Sequence, residues 1–339
     1  MANGMKFINE PANVVDEMLD GYLRTYPGLV RRLDDARVVV RASPRPSGTR
    51  VISGGGSGHE PALLGYVGHG LLDAVVVGDP VASPSADAVL AAIRATDTGQ
   101  GVLIVIGNYA GDEINFGMAT EWARDEGHEV AMVLVTDDAA VGTADPRSRR
   151  GLAGGVLVWK AACAAAAAGA PLPEVRQVAA DAVASTRTVA VASAPASIPG
   201  SAHSAFTVEP NRYQFGVGHG EPGIRSEPNK PADVVVDRML ETLLTDDFLQ
   251  APGTRAVTMV NGLGATPLME LYIVQRHLQA ELARHAITVH RTFVGQFYTA
   301  FETAGFSITL MQADERLARL ISAPARSPHF CNQVGVADD

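Results

Sequence analysis

The sequence predicts an α/β protein of two α/β domains with mixed, mostly parallel sheets, and three observations carry that expectation. Apolar runs of strand length alternate with amphipathic stretches of helix length, the pattern of βαβ units. Glycine-rich segments stand directly after several apolar runs, where ligands bind in open α/β sheets. The chain has 339 residues, more than a single hydrophobic core ordinarily serves.

Taken in order, Val14 to Tyr26 reads as a helix with an acidic solvent face, stopped by Pro27. Arg50 to Ile52 ends a strand that runs into Ser53-Gly54-Gly55-Gly56-Ser57-Gly58-His59-Glu60-Pro61. Asp73 to Val77 is a strand and Ala86 to Thr96 a helix. Gly101 to Ile106 is a buried strand leading into Gly107-Asn108-Tyr109-Ala110-Gly111-Asp112. A helix from Glu113 to Glu126, a strand from Val130 to Val135, and helices over Gly154–Ala168 and Pro173–Ser185 follow. The stretch Ala192 to Ala205, rich in Ser, Pro and Ala, places a domain boundary between Val189 and Pro199, dividing the chain into 1–188 and 189–339. Beyond it, Pro231 to Leu244 is a helix with proline in its first turn. Ala256 to Val260 is a strand ending at Asn261-Gly262-Leu263-Gly264-Ala265-Thr266-Pro267, Met269 to Arg284 a helix, and Ile287 to Phe297 and Phe306 to Met311 strands.

Composition narrows the function classes. With 47% hydrophobic and 19% charged residues the chain is an ordinary globular one, not a disordered one. A net charge of −10 argues against nucleic acid or an anionic membrane as partner, since phosphate binding needs basic patches. No run of 18 uncharged apolar residues occurs, so no membrane span is expected. The start, from Met1 to Met5 onward, lacks the charged and apolar blocks of a secretory signal. Cys163 and Cys331 have no CxxC spacing; Cys163 sits in an alanine-rich helix as a small core residue, and a reduced, cytoplasmic setting is expected.

Three loops carry chemistry. In Ser53 to Pro61, successive glycines let backbone N–H groups approach a ligand, or simply make a tight turn. No Gly-Lys-Ser/Thr follows, so it is not a Walker loop, and the third glycine of a dinucleotide fingerprint falls on His59. His59 is either a hydrogen-bonding ligand for a hydroxyl or a helix-start residue. In the second loop, Asp112 follows a buried strand, where a carboxylate can act as general base toward an alcohol; it is also placed to cap the next helix. In the third, Phe215-Gly216-Val217-Gly218-His219-Gly220-Glu221-Pro222-Gly223, glycines leave the His219 imidazole accessible. The other seven histidines stand singly on surface-like or loop segments, no His/Cys/Asp set has metal-ligand spacing, and Ser57 lacks the order of a nucleophile elbow.

Together, Ser53–Pro61, Asn108–Asp112 with Asn115-Phe116, Arg150-Gly-Leu-Ala-Gly154, His219-Gly-Glu-Pro-Gly223 and Asn261–Pro267 closely resemble the dihydroxyacetone kinase substrate-binding subunit, from about Phe7 to Pro328. The resemblance implies that His219 attacks the carbonyl carbon of a small ketose to form a hemiaminal, which a neutral imidazole is competent to do near neutral pH. It implies that Asp112 accepts the proton of the terminal hydroxyl, and that His59 hydrogen-bonds the substrate. Backbone around Gly56 and Ser57 and the hydroxyl of Ser83 complete the site in this reading. It further implies a homodimer and a separate, DhaL-like nucleotide-binding subunit holding Mg-ATP or ADP, with no cofactor or metal on this chain. Positioning dominates such a site, because phosphoryl transfer asks little covalent work of the acceptor side.

The chain departs from the family pattern in four places. Gly107 stands where lysine precedes Asn-Tyr, and Val81 where a bulky aromatic is common. The loop before His219 is one residue shorter than usual, and Trp159 replaces a common histidine. Small side chains at Gly107 and Val81 point to a roomier pocket and a four-carbon ketose such as erythrulose. Two other classes stay open: a ketose-sensing transcriptional coregulator, and a repurposed isomerase using His59, Asp112 and His219 as acid–base groups.

Overall fold

Valine- and isoleucine-rich runs form two six-stranded sheets among the residues described by the computed structural model, 6–332 apart from 35, 143–144, 202, 246–247 and 250–254. Met1 to Met5, read above for a secretory signal, lie outside the described residues. The chain divides into two units, Met1–Val135 with Leu157–Asp181 and Arg319–Asp339, and Thr136–Val156 with Ala182–Ala318.

The first unit holds β1 (Val30–Arg32), β2 (Val38–Arg41), β3 (Arg50–Ser57), β4 (Ala74–Pro80), β5 (Val102–Gly107) and β6 (Val130–Val135), in the order β1-β2-β4-β3-β5-β6. Strands β4, β3, β5 and β6 pair in parallel, while β1 and β2 form an antiparallel edge. Its helices include α1 (Val14–Thr25), α2 (Ala86–Thr96) and α3 (Ala110–Asp125). Helices α2 and α3 bury Val89, Ile93, Phe116 and Ala119 in one cluster with Ile52, Val76 and Ile104. Serine at position 85 accepts a hydrogen bond from the Ala88 N–H, which starts α2 at the expected residue. Helices α4 (Gly155–Ala167) and α5 (Leu172–Ala184) follow. Cys163 is buried in α4, and burial raises its thiol pKa well above the usual range.

The second unit holds β7 (Thr186–Ala194), β8 (Arg212–Phe215), β9 (Arg225–Pro228), β10 (Arg255–Gly262), β11 (Thr288–Gly295) and β12 (Ala304–Ala313), ordered β11-β10-β12-β7-β8-β9. Its α6 (Ala232–Leu243) and α7 (Leu268–Arg284) bury Val236, Met239, Leu271, Val274 and Leu278 in one cluster with Val260 and Ile308. A last helix, α8, spans Glu315–Ser322. No helix among the described residues is long and apolar enough to cross a membrane.

Several expectations change. The second sheet is mixed but mostly antiparallel, with β10–β11 as its parallel pair among the described strands. Residues 296–303 are too few for the crossover that a parallel return requires. The Val189–Pro199 stretch carries the second half of β7, and the units exchange at other positions instead of at one cut near 189. Pro231 occupies the N-cap of α6, one residue before its first turn. Strands β1, β2, β8 and β9 and helix α8 go beyond the sequence reading; several are short and arginine-bearing, which masks their period.

The glycine run, read as a loop, continues β3 through Ser57. A Cβ on Gly54 would lie 2.6 Å from the Val76 carbonyl oxygen and 2.7 Å from Phe116 Cζ, so only glycine fits between β4 and α3. Gly54→Ala is therefore expected to destabilise the protein by about 2 kcal/mol or more, through overpacking. Gly117→Ala, inside α3 with nothing within 4 Å, is expected to stabilise it by about 0.5–1 kcal/mol. Urea-unfolding midpoints of the two variants check both signs.

Candidate functional site

In the first unit β3, β4 and β5 run parallel, so Ser57, Pro80 and Gly107 end at the same edge of the sheet. That is the edge where open α/β sheets bind ligands. The bend after β4 closes onto the glycines of β3. A Cβ on Gly56 would lie 2.8 Å from Ala82 N and 2.9 Å from Val81 Cα. Val81 N donates to the Ser57 carbonyl at 3.1 Å, and the Ser57 hydroxyl donates to the Gly78 carbonyl at 2.7 Å. Ser57 thus spends its proton on the fold, while Val81 sits at φ +52°, a costly conformation for a β-branched residue. Val81 is also exposed.

Asp112 approaches the same backbone from α3. Tyr109 is the N-cap of that helix and Asp112 its third residue, so the capping role considered for Asp112 is not the one it holds. An Oδ2 atom of Asp112 lies 3.8 Å from where a Gly55 Cβ would stand, and Ser83 is the polar side chain that acts on the carboxylate. Its Oδ1 is buried and has no hydrogen-bond partner among the described residues. Burial pushes the Asp112 carboxyl up to about 6, against the lowering influence of Ser83. Asn115, one turn further on, donates to the Pro84 carbonyl at 2.9 Å and ties α3 to the Ser83 loop. His59 is buried at the end of the glycine strand, and the Glu60 carboxylate beside it accepts from Gly58 N at 3.0 Å. A cavity of about 500 Å³ opens beyond Ser83, lined by Arg37, Asp79 and Asp87; neither His59 nor Asp112 lines it.

His219 belongs to the second unit, where a separate scaffold holds it. Its ring, 8% exposed, stacks on Tyr298 with centroids 3.9 Å apart and planes 21° from parallel. Asn261, first residue of the Asn-Gly-Leu-Gly-Ala-Thr-Pro motif, builds the shelf for that tyrosine. Its Oδ1 accepts from Phe297 N at 2.8 Å and Tyr298 N at 2.9 Å, and its Nδ2 donates to the Tyr298 carbonyl at 2.8 Å. Arg150 braces the glycine loop before His219. It donates to the Gly216 carbonyl at 2.7 Å and pairs with Asp138 at 2.7 Å and Glu221 at 3.0 Å. A Cβ on Gly218 would meet Glu221 Oε2 at 2.5 Å and Arg150 Nη1 at 2.8 Å, and Gly216 and Gly220 hold φ of +72° and +80°.

The structure therefore gathers Gly55, Gly56, Ser57, Ser83 and Asp112 at one sheet edge and gives His219 its own setting. Tyr298 escaped the sequence reading, since a lone tyrosine after a strand carries no pattern; Asn261 and Arg150 were visible only as motif residues. The lysine-to-glycine departure at Gly107 lies at the end of β5, and Trp159 is buried with its Nε1 donating to the Val105 carbonyl at 3.1 Å. Asp237, His277 and Glu281 bring ligand-type atoms within 4.8 Å of one another, a grouping that their sequence spacing had not signalled. His277 Nε2 already sits 2.7 Å from Asp237 Oδ1, a direct hydrogen bond, so the group is satisfied as a hydrogen-bonded cluster.

Residues 20–329 match the Dak1 domain. The chain is 38% identical over 322 residues to the PTS-dependent dihydroxyacetone kinase 1, dihydroxyacetone-binding subunit DhaK, of Listeria innocua, covering 94% of this chain and 98% of that protein. It is 39% identical over 328 residues to the D-erythrulose kinase of Mycolicibacterium smegmatis, covering 96% of this chain and 56% of that protein, so it spans little more than half that relative's length. Among solved structures, the dihydroxyacetone kinase operon co-activator Dha-DhaQ superposes with a TM-score of 0.90 at 31% identity, covering 96% of this chain and all of that one.

Two predictions follow from the site. A buried carboxylate whose pKa is raised from 3.8 to about 6 favours the folded state while protonated and loses that contribution as pH rises through about 6. Asp112→Asn is thus expected to raise the unfolding temperature at pH 8, by a gain on the order of 2 kcal/mol, and to leave it nearly unchanged at pH 4; calorimetry at both pH values checks this. Asn261→Ala removes four hydrogen bonds in a buried setting and is expected to cost about 2–3 kcal/mol, read from denaturant unfolding.

Proposed function

The chain belongs to the Dak1 domain family, and on that premise we propose that it is the ketose-binding part of a dihydroxyacetone-type kinase. The observation that carries the reading is Asp112: a carboxylate buried at the carboxyl edge of the sheet, beside Ser83, with one oxygen left to take a proton. Such a group is a general base for an alcohol about to attack phosphorus, and its raised pKa brings it nearer the operating pH.

In this reading His219 captures the substrate. A ring nitrogen attacks the ketone carbon, the N–C bond forms as the carbonyl π pair moves to oxygen, and that oxygen gains the proton the imidazole gives up. Nothing is lost, so the adduct weighs one whole ketose more. Polyols lacking a carbonyl cannot form it, which provides selection. Stacking on Tyr298 keeps the imidazole in one plane, and the brace of Arg150 fixes the glycine loop around it; the ring is largely buried, not freely accessible as its flanking glycines suggested. Asp112 then accepts the proton of the terminal hydroxyl, while His59, the Gly56–Ser57 backbone and Ser83 orient the substrate. The phosphoryl group would come from Mg-ATP on a nucleotide-binding subunit, or from a bound ADP there once a phosphotransferase protein has rephosphorylated it, and the ketose-binding part works as a homodimer.

We assign a four-carbon ketose such as erythrulose as acceptor. Glycine at position 107 ends β5 at the ligand edge without a side chain, and Val81 puts a small group on the loop that closes over Gly56. The D-erythrulose kinase among the relatives is consistent with that assignment. A second reading, a ketose-sensing partner of a transcription factor, is favoured by the full-length match to the co-activator. A sensor needs capture but no base, so the Asp112 setting weighs toward the kinase.

Intact-mass spectrometry after incubation with dihydroxyacetone or erythrulose is expected to show one added ketose on the wild type and none on His219→Ala. A clear preference for dihydroxyacetone overturns the four-carbon assignment. With a nucleotide-binding partner and Mg-ATP, Asp112→Asn is expected to keep the adduct and lose about 10²–10⁴ in phosphorylation rate, while the wild-type rate climbs as pH rises through about 6. Adduct formation without phosphorylation by any partner supports the sensor instead.

A further inference from the structure

We propose that the opposite, N-terminal edge of the first unit's parallel strands holds a small oxyanion of the phosphate class. A cavity of about 140 Å³ lies there, lined by Arg31, Arg41, Arg45 and Arg50 together with Asp73 and Asp97. Arg50 begins β3, Arg41 ends the antiparallel β2, and Asp73 directly precedes β4, so strand register alone brings them to this edge.

The charges do not balance. Asp73, 5% exposed, is shared by Arg45 Nη2 at 2.8 Å, Arg41 Nη1 at 3.5 Å and Arg50 Nη1 at 3.7 Å, and it also accepts from Val51 N at 3.0 Å. Asp97 is occupied elsewhere, by His128 Nδ1 at 2.7 Å and by the N–H groups of Gly99 and Gly101. Two carboxylates, of which only Asp73 pairs directly with the arginines, therefore answer four guanidinium groups.

Arg50 is the centre of the argument. Its side chain is 2% exposed. Its Nε donates to the Thr96 carbonyl at 3.1 Å and its Nη2 to the Arg45 carbonyl at 2.6 Å. Nη1 is buried and has no hydrogen-bond partner among the described residues. A guanidinium stays protonated even where burial and the neighbouring charges of Arg45 and Arg41 press its pKa down, so its unmet donor carries a standing cost that the long ion pair to Asp73 offsets only in part. Carbonyl groups fix Arg45 as well: Nη1 donates to Ala166 at 2.8 Å and Nη2 to Thr49 at 2.6 Å. These two guanidinium groups are thus preorganised, and planar forks recognise multi-oxygen anions better than a point charge does. The cavity suits a single phosphoryl group.

Equilibrium dialysis of the full chain against radiolabelled orthophosphate, at constant ionic strength set with chloride, tests the site. Wild type is expected to bind, and Arg31→Gln with Arg41→Gln to bind about tenfold more weakly while keeping the native circular-dichroism spectrum. Arg31 is exposed and Arg41 is held by one long ion pair, so neither change removes a fold-building hydrogen bond. Competition by glycerol 3-phosphate would assign the ligand as a phosphate ester; its failure to compete would assign the free ion. Wild type that retains no phosphate, or an arginine variant that retains it undiminished, overturns the proposal. So does binding that is lost in Asp112→Asn, because the ion would then sit at the ketose edge.

Discussion

The missing Cβ atoms of Gly54 to Gly56 are the constraint on which the first unit's site depends. Any side chain at Gly54 would strike the Val76 carbonyl and the Phe116 ring, and any at Gly56 would strike the Val81–Ala82 backbone. Because those three positions are bare, α3 comes down onto β3 through Phe116 and the Ser83 loop folds over it. That double approach is what carries Asp112 to Gly55 and Ser83. The glycines act less by flexibility than by making room, which is why they belong to a strand and not to a turn.

Two buried carboxylates show how geometry, and not acidity, separates a working group from a structural one. Burial pushes both Asp112 and Asp137 up to about 6. Asp137 is fully buried and accepts from Leu152 N at 2.6 Å and Gly154 N at 2.8 Å. It shapes the Arg-Gly-Leu-Ala-Gly segment and has nothing left to offer. Asp112 keeps Ser83 and one unsatisfied buried oxygen. An unmet buried acceptor costs stability, and such a cost is ordinarily retained where a substrate proton will meet it.

The second unit solves a different problem, holding a largely buried imidazole in place on a loop rich in glycine. It does so from outside the loop. Arg150, itself anchored on buried Asp138, reaches Gly216 and Glu221 on either side of the histidine. Asn261 on β10 clamps the Phe297–Tyr298 backbone, and Tyr298 stacks on the His219 ring. The loop needs no rigidity of its own, because two strands and an arginine lend it theirs.

Much of this was legible from residue order alone. Period and apolar run length mark α2 and β6 residue for residue, and α1, α4, α5 and α7 within one residue at each end, because each has a clean face or an uninterrupted core run. The glycine and histidine loops announce themselves by composition, and the motifs that carry the family need no coordinates. What residue order left open is whatever depends on a neighbour distant in sequence. That the glycine run is a strand depends on Phe116 and Val76; that Asp112 stands past the cap depends on where Tyr109 lies; that the second sheet turns antiparallel depends on how short a connection is. Tyr298 beside His219 and the arginines around Asp73 are equally silent in one dimension. Local propensity and backbone sterics act over a few residues and are written in the order of the chain, whereas burial, stacking and unmet charge exist only once the chain has closed on itself.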